Sequence, residues 1–427
     1  MPFGLELGAD QLRSALGLAG FIGVAWLLSE GKTRFPFTAA LWTILVQLAI
    51  AILLLYAPLT RDALGSLTVV VSALQQATTA GTALVFGYLG GAENAPFEVT
   101  DRGAYFTFAF GGLPLVIFFS GLSALLWHLG VLKVFIRGFA ILLQRVFRVG
   151  GAVALSSAAN SLLGQTEAPL LIRPYLDKVS RSELFIIITG GFATVAGSVM
   201  ALYATILADI EPSMLGHVIV ASIISVPAAI LVAQVMIPPE RGAEPTPSDA
   251  ADDFGYASAM DAFMQGVTDG LKLYLNILAS LIAFTAFVEL INIIMGTAPD
   301  VAGAPLTLER LFGWFFMPFM WLAGVSWGEA FEAGRLMGVK TAINELVAYV
   351  QLASAPEGSF SDRSLLIIIY ALCGFANFAS LGIVIGGLTV LAPTRRADVI
   401  ALAPRALVAG TLATLMTGAV IGLVWMG

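Results

Sequence analysis

The chain has 427 residues, of which 58% are hydrophobic and only 11% are charged, and this composition excludes an ordinary soluble protein. The formal net charge of −7 argues against nucleic acid as a partner. The single cysteine, Cys373, excludes an internal disulfide and a multi-cysteine zinc site. From the apolar composition we predict an all-α membrane protein.

Eight apolar stretches have the length of membrane-spanning helices, and the first follows acidic residues, which favours a retained span over a cleaved signal. The predicted spans lie near 13–30, 38–59, 104–128, 181–209, 215–237, 268–296, 363–390 and 398–425. Three further segments mix apolar and polar side chains and are predicted to be interfacial helices. These segments are 61–90, 132–148 and 305–323. A Pro-rich acidic stretch, 238–258, is predicted to be a flexible loop.

Basic residues concentrate in the segments that follow the odd-numbered spans, and this bias predicts an orientation. Examples are Lys32 after the first span, Arg137 and Arg181 after the third, and Arg395 after the seventh. Because such segments face the cytoplasm, a chain with eight spans has both termini on the outer side of the membrane.

Two segments between spans begin and end on the same side of the membrane, so neither can cross it once. They are 149–178, which returns to the cytoplasmic side, and 326–360, which returns to the outer side. We predict two re-entrant hairpins that enter from opposite faces, as inverted repeats require, with tips that meet near the midplane. The charged residues on the second hairpin are expected to form a solvated face. They are Glu329, Glu332, Arg335 and Lys340.

The hairpin tips carry polar side chains that suit a small polar solute. A carboxylate at Glu345 offers paired acceptors for a vicinal diol such as a ribose 2′,3′ pair. Asn377 and Ser380 add donors and acceptors, while Gln165 and Thr166 suit the amide-like edge of a nucleobase. Val199 and Phe375 supply apolar faces for a flat ring, whereas Tyr203 and Tyr349 are expected to be packing or interface aromatics.

A cation site is predicted beside the first tip. Asn160 and Thr194 are neutral oxygen donors next to backbone that must be unwound, so the carbonyls of Leu163 and Val195 can join them. Such a set suits a weakly bound monovalent cation such as Na⁺ better than a transition metal. Proton coupling through Glu167 or Glu345 remains an alternative.

Four motifs resemble those of the concentrative nucleoside transporter family, in its shorter bacterial form with eight spans. Its two hairpin signatures are similar to Gly164 to Leu170 (GQTEAPL) and Asn344 to Tyr349 (NELVAY). Its two broken-helix signatures are similar to Ala196 to Val199 (AGSV) and Gly374 to Asn377 (GFAN). The resemblance implies a homotrimer in the bacterial inner membrane that imports nucleosides with Na⁺ by an elevator-type movement. Leu346 and Leu202 depart from the residues commonest in the family, and both are expected beside the site.

The family resemblance also implies a role for each site residue. The nucleobase would be faced by Gln165, Thr166, Glu167 and Val199. The ribose would be held by Glu345, Asn377 and Ser380, with Phe375 lining the pocket. Na⁺ would be bound by Asn160, Leu163, Thr194 and Val195.

The resemblance further implies an organisation that alternates scaffold and transport segments. Residues 1–148 and 238–325 form the scaffold, and residues 149–237 and 326–427, each a hairpin with two spans, form the transport domain. Three alternatives to a Na⁺ symporter remain. They are a proton-coupled nucleoside carrier, an intramembrane enzyme that uses the paired carboxylates, and a passive channel.

Overall fold

The computed structural model shows an all-α protein. It describes residues 8–32, 35, 37–92, 95–98, 107–207, 210–211, 213–240, 246 and 254–425. Within these ranges, extended pairing is confined to one bridge between Val301 and Ala304. The first residues of the predicted 104–128 span, the end of the 181–209 span and most of the 238–258 loop lie outside the described residues.

Eighteen helices are seen in the described ranges, together with three short 3₁₀ turns. The first nine are α1 (Ala9–Leu27), α2 (Phe37–Tyr56), α3 (Pro58–Phe86), α4 (Phe108–Gly111), α5 (Leu115–His128), α6 (Val131–Phe147), α7 (Gly151–Asn160), α8 (Glu167–Leu170) and α9 (Arg181–Ala193). The others are α10 (Gly197–Ile206), α11 (Met214–Met236), α12 (Ala259–Met295), α13 (Leu308–Ala323), α14 (Trp327–Ala342), α15 (Glu345–Ala353), α16 (Asp362–Leu372), α17 (Phe378–Leu391) and α18 (Arg396–Val424).

In the part of the chain that the structure describes, seven helical stretches are long and apolar enough to cross a bilayer. They are Phe37–Tyr56, Val69–Gly90, Phe108–His128, Arg181–Ile206, Met214–Met236, Ala259–Met295 and Pro393–Val424. The predicted span 363–390 is divided between α16 and α17, and the predicted span 13–30 overlaps α1. Val69–Gly90 falls in the segment 61–90, whose placement in the interface stays a prediction.

The helices differ sharply in burial. In the most apolar part of Arg181–Ile206, 94% of the residues are buried, whereas in α12 the corresponding share is 6%. α12 packs mainly along α5, and two of its glycines allow the close approach. A Cβ on Gly266 would lie 2.6 Å from the Ser120 carbonyl oxygen, and one on Gly270 would lie 2.8 Å from the Ile117 Cα. α5 and α12 therefore form a closely packed pair, and α12 is the least buried of the seven stretches.

The buried centre is built around α9, α11 and α18, against which α1 and α2 also pack. A buried arginine, Arg363, ties several of these helices together through main-chain carbonyl oxygens. Its guanidinium donates to the carbonyls of Gly324 at 2.5 Å, Gly422 at 2.7 Å and Asp10 at 3.0 Å. These acceptors lie at the end of α13, in α18 and in α1, so the two ends of the chain are joined.

Each predicted hairpin consists of two helices separated by a break. In the first hairpin the break follows Asn160 and ends before Glu167, and in the second it follows Ala342 and ends before Glu345. Two longer helical runs are also interrupted, between α9 and α10 at 194–196 and between α16 and α17 at 373–377. The first interruption ends at Ala196, where the motif AGSV begins, and the second contains the motif GFAN.

The loop before α12 contains one tightly held residue. The backbone N–H and the hydroxyl of Thr246 donate to the two carboxylate oxygens of Glu183, at 2.9 and 2.8 Å. The same carboxylate belongs to a capping box with Ser180 at the start of α9. Thr246 therefore holds this part of the predicted flexible loop against the start of α9.

Candidate substrate and ion sites

A cavity of 650 Å³ lies where the two hairpin tips meet the two broken helices. The volume falls within the range of about 300–1,000 Å³ that is typical of small-molecule sites. The cavity wall includes every residue that the sequence predicts for the substrate. These are Gln165, Thr166, Glu167, Val199, Glu345, Phe375, Asn377 and Ser380.

The most highly organised group in this cavity is the carboxylate of Glu345, which is buried. Its Oε1 accepts a hydrogen bond from the Tyr203 hydroxyl at 2.5 Å, and its Oε2 accepts one from Asn377 Nδ2 at 2.8 Å. Each carboxylate oxygen can accept a second hydrogen bond. The carboxylate is thus fixed in position and still has acceptor capacity for a ligand.

Two helix N-termini set this geometry. Asn344 caps α15, because its side-chain oxygen accepts from the Val347 N–H at 3.0 Å, and Glu345 is the first residue of that helix. Asn377 caps α17 in the same way, through the Ser380 N–H at 2.7 Å. Capping fixes which end of the Asn377 amide faces Glu345. The positive ends of both helices also favour an anion at this place.

The first hairpin contributes a second carboxylate. Glu167 begins α8, and its Oε2 accepts from the Gly164 N–H at 3.2 Å. Gln165 packs closely on α9, since a Cβ on Gly191 would lie only 3.0 Å from the Gln165 Cβ. The side-chain oxygen of Gln165 has no hydrogen-bond partner among the described residues. The tip therefore presents an unused acceptor beside a carboxylate.

The broken segments are held against each other and against the first tip by main-chain hydrogen bonds. The Gly197 N–H donates to the Leu162 carbonyl at 2.8 Å, and the Phe375 N–H donates to the Thr194 carbonyl at 3.2 Å. Non-helical backbone inside a membrane protein needs such partners. The two breaks and the first tip thus form one connected unit around the cavity.

Two of the predicted ion ligands, Asn160 and Thr194, lie beside Gly190. Asn160 is fully buried and neither polar atom of its side chain has a partner among the described residues. A Cβ on Gly190 would lie 3.5 Å from Asn160 Nδ2, and the Thr194 hydroxyl donates to the Gly190 carbonyl at 2.9 Å. No hydrogen bond to the carbonyls of Leu163 and Val195 is found in the described ranges. An unpaired buried amide and free neutral oxygens fit a monovalent cation.

One expectation about an individual residue is wrong, and another is incomplete. Tyr203 packs on Tyr349 as expected, with ring centroids 4.7 Å apart, but it also lines the cavity and bonds Glu345. Lys340, expected on a solvated face, has no exposed surface in the chain. Its Nζ donates to the Ala371 carbonyl and to the Thr414 hydroxyl instead of to water. Tyr349 is buried, and its hydroxyl donates to the Ile369 carbonyl at 2.8 Å.

One wall of the cavity is absent from the sequence prediction. It is a polar strip on α12 formed by Asp269, Lys272, Asn276 and Ser280. Their spacing of three or four residues places them on one face of the helix, which was the available signal. Asp269 and Lys272 form an ion pair at 2.9 Å. A smaller cavity of 260 Å³, also lined by Glu167 and Asp269, adjoins this strip and reaches Leu163.

Comparison with known families covers nearly the whole chain. A model described as the N-terminus of Na⁺ dependent nucleoside transporters matches residues 16–89, and one described as the C-terminus matches residues 217–422. A third model, described as nucleoside recognition, matches residues 109–210.

Individual relatives agree with the family models. An uncharacterized transporter of Haemophilus influenzae is 38% identical over 96% of this chain and 97% of its own length. The nucleoside permease NupC of Helicobacter pylori is 34% identical over 97% of this chain and 98% of its own. The structure of CNTnw in an inward-facing substrate-bound state has 37% identity, a TM-score of 0.86 and 97% coverage of each chain. The chain therefore belongs to the concentrative nucleoside transporter family.

Proposed function

We propose that the chain imports nucleosides by symport with Na⁺ and that the 650 Å³ cavity is its substrate site. The observation that carries the proposal is the buried Glu345 carboxylate, which Tyr203 and Asn377 hold in place while both oxygens keep acceptor capacity. A nucleoside that leaves water must replace the hydrogen bonds of its hydroxyl groups. A fixed carboxylate is suited to accept from two adjacent hydroxyls.

The remaining cavity residues divide by chemistry. Asn377 and Ser380 lie on the same side as Glu345 and would complete the ribose site, whereas Gln165, Thr166 and Glu167 would bind the edge of the base. The apolar side chains of Val199 and Phe375 would flank the ring. The unpaired oxygen of Gln165 supports this division, because it can accept a hydrogen bond from an amide-like N–H.

Na⁺ would bind at Asn160, Thr194 and the carbonyls of Leu163 and Val195. The break that follows Asn160 also carries Gln165 and leads into Glu167. An ion that fixes this break would order the groups that face the base and so raise nucleoside affinity. Linkage requires that the nucleoside raises Na⁺ affinity by the same factor.

The proposed membrane topology has eight spans and two re-entrant hairpins. The spans are α1, α2, α4–α5, α9–α10, α11, α12, α16–α17 and α18. The repeated order of hairpin, broken helix and continuous helix supports two inverted repeats. Both termini would lie on the outer side of a bacterial inner membrane, and α3, α6 and α13 would lie in the interface.

An elevator-type movement is proposed for the transport cycle, with a homotrimer as its frame. The division into scaffold segments 1–148 and 238–325 and transport segments 149–237 and 326–427 is retained as a proposal. Contacts favour α5 and α12 as the centre of the scaffold, since α1 and α2 pack on helices of the transport segments. The polar strip on α12 faces the hairpins across the cavity, so relative movement would occur there.

Uptake of radiolabelled uridine into proteoliposomes tests the function. We expect accumulation when a Na⁺ gradient points inward and none when choline replaces Na⁺ at fixed pH. Equal uptake in the two media would rule out sodium coupling, and unsaturable equilibration would indicate a channel.

A proton-coupled carrier is the second candidate, because two carboxylates, Glu167 and Glu345, line the cavity. Uptake driven by a pH gradient in the absence of Na⁺ would favour it over sodium symport. We infer that the chain is not an enzyme, since the relatives compared above are named transporters and permeases. Hydrolysis of uridine by the purified protein would contradict that inference.

A further inference from the structure

Lys340 is a buried cation that the proposed transport mechanism does not yet use. It lies in the last turn of α14 and has no exposed surface in the chain. Its Nζ donates to the Ala371 carbonyl at 2.8 Å and to Thr414 Oγ1 at 3.0 Å. Among the described residues, no carboxylate lies within 4.0 Å of this ammonium group. Both hydrogen-bond partners are therefore neutral.

Burial of an ammonium group is strongly unfavourable unless other groups compensate its charge. Ala371 supplies one compensation, because it lies in the last turn of α16, where carbonyls lack partners within the helix and the helix dipole is negative. The second is the negative charge of Glu345, whose side chain is also buried and lies five residues later in the chain, directly after the break that follows Ala342.

Glu345 has the complementary deficit. Its side chain is buried, and its two side-chain donors, Tyr203 and Asn377, are both neutral. Among the described residues, Lys340 and Arg363 are the buried basic side chains, and Arg363 is already bonded to the carbonyls of Gly324, Asp10 and Gly422, which leaves Lys340 to compensate Glu345. The other titratable groups that interact with the pair are Tyr203, Tyr349 and Cys373. All three are uncharged at neutral pH in their ordinary range, so none can replace a missing cation.

Lys340 also contacts the segment that carries substrate residues. Ala371 is the second residue before the break at 373–377, which bears Phe375 and Asn377. Thr414 lies on α18 and closely approaches that break, since a Cβ on Gly374 would lie 2.6 Å from its Cγ2. A single side chain thus connects the second hairpin, the end of α16 and α18 behind the ribose side of the cavity.

We propose that Lys340 is a positioning residue for nucleoside binding, which keeps Glu345 ionised in its buried place and fixes the broken segment that carries Asn377. The inference rests on the proposed function, because it assigns Lys340 an effect on the ribose-binding carboxylate. Lys340 touches no substrate and acts through Glu345.

Infrared difference spectroscopy of the purified full chain in lipid nanodiscs at pH 7, without nucleoside, tests the ionisation directly. A protonated carboxylic acid has a C=O stretch that an ionised carboxylate lacks. We expect this band in Lys340→Met, and we expect it to vanish in the double variant Lys340→Met/Glu345→Gln. The difference between these two variants isolates Glu345 from Glu167. No such band in Lys340→Met, or an equal band of Glu345 in the wild type, would overturn the proposal.

Thr414→Val is the matched control, because it removes one acceptor of Lys340 and leaves the charge in place. We expect no carboxylic-acid band of Glu345 in this variant, as judged by the difference between Thr414→Val and Thr414→Val/Glu345→Gln. Uridine affinity provides the functional readout, and Lys340→Met should weaken it by about tenfold or more, as expected when a hydrogen-bonded charge in the site is lost. Affinity equal to that of the wild type would contradict the proposal.

Thermal unfolding covers the case in which Lys340→Met alone does not fold. Buried charges that depend on each other give non-additive effects. The Lys340→Met change should therefore lower the melting temperature much less in the Glu345→Gln background than in the wild type. If folded protein is recovered for the double variant but not for Lys340→Met alone, that result would also support the pairing. Equal decreases of the melting temperature in both backgrounds would contradict the pairing of Lys340 with Glu345. Failure to recover folded protein for both Lys340→Met and the double variant would contradict it as well. If the wild type binds no uridine with or without Na⁺, the proposed function fails, whereas the infrared comparison still decides the effect of Lys340 on Glu345.

Discussion

Glu345→Gln isolates the charge of the central carboxylate with little change in volume. In the wild type, Oε1 accepts from Tyr203 and Oε2 from Asn377, so both oxygens face donors. A glutamine has only one oxygen, and its NH₂ group must replace the other. The variant therefore loses at least one charge-assisted acceptor position on the ribose side of the cavity.

The size of the effect follows from the hydrogen bonds that change. A hydrogen bond to a charged group contributes about 1.5–3 kcal/mol, which corresponds to a change of about 10- to 150-fold in the dissociation constant. We expect uridine to bind to Glu345→Gln more weakly by a factor in this range. Equilibrium binding of radiolabelled uridine to the purified protein in Na⁺ measures it.

A second ligand tests the assignment to the ribose. 2′,3′-Dideoxyuridine lacks both hydroxyls, so the wild type should prefer uridine strongly, whereas Glu345→Gln should discriminate much less. The matched control is Glu332→Gln on the same hairpin, whose side chain is 54% exposed and pairs with Arg335 at 2.8 Å. We expect wild-type affinity for the control. Unchanged discrimination in Glu345→Gln, or an equal loss in the control, would refute the reasoning.

Three further predictions concern the first tip, the ion site and an ion pair between Glu30, which follows α1, and Arg181, which begins α9. Gly191→Ala places a Cβ 3.0 Å from the Gln165 Cβ and should displace the tip at a cost of about 1–3 kcal/mol, which would weaken uridine binding by about 5- to 150-fold. Unchanged affinity would contradict the close packing. Asn160→Ala should abolish the increase in uridine affinity that Na⁺ produces, and an undiminished increase would remove Asn160 from the ion site. The hydrogen bond from Arg181 holds the pKa of Glu30 below its usual range. The ionised carboxylate therefore stabilises the fold at pH values above its unfolded-state pKa. This stabilisation is lost as the pH falls through the folded-state pKa. Glu30→Gln should therefore lower the melting temperature at pH 7, with a difference from the wild type that shrinks below about pH 4; a difference that is constant with pH would contradict this.

The polar tips and the broken helices were predictable from the sequence because polar residues and glycines interrupt apolar stretches there. Glu345 and Asn377 stand out by composition alone, and the structure places both on one cavity. Local sequence also predicts the caps, since an asparagine that precedes a helix satisfies its first N–H groups. The breaks after Ala193 and Leu372 likewise follow from their own neighbourhoods.

The roles of Tyr203 and Lys340 were not predictable in this way, because they depend on partners far away in the chain. Tyr203 bonds a residue 142 positions later, and Lys340 bonds residues 31 and 74 positions later. An aromatic residue inside an apolar helix looks like packing, and a lysine near other charged residues looks solvated. Only the tertiary fold brings the end of α16 and α18 to Lys340.

Paired equilibrium titrations test the central claim, that Na⁺ and a nucleoside bind to adjacent sites joined by the first hairpin tip. The dissociation constant of uridine is measured at low and at saturating Na⁺, and that of Na⁺ with and without uridine. The account predicts that each ligand tightens the binding of the other by the same factor, as linkage demands. Uridine binding that is independent of Na⁺, with Na⁺ binding independent of uridine, would contradict it.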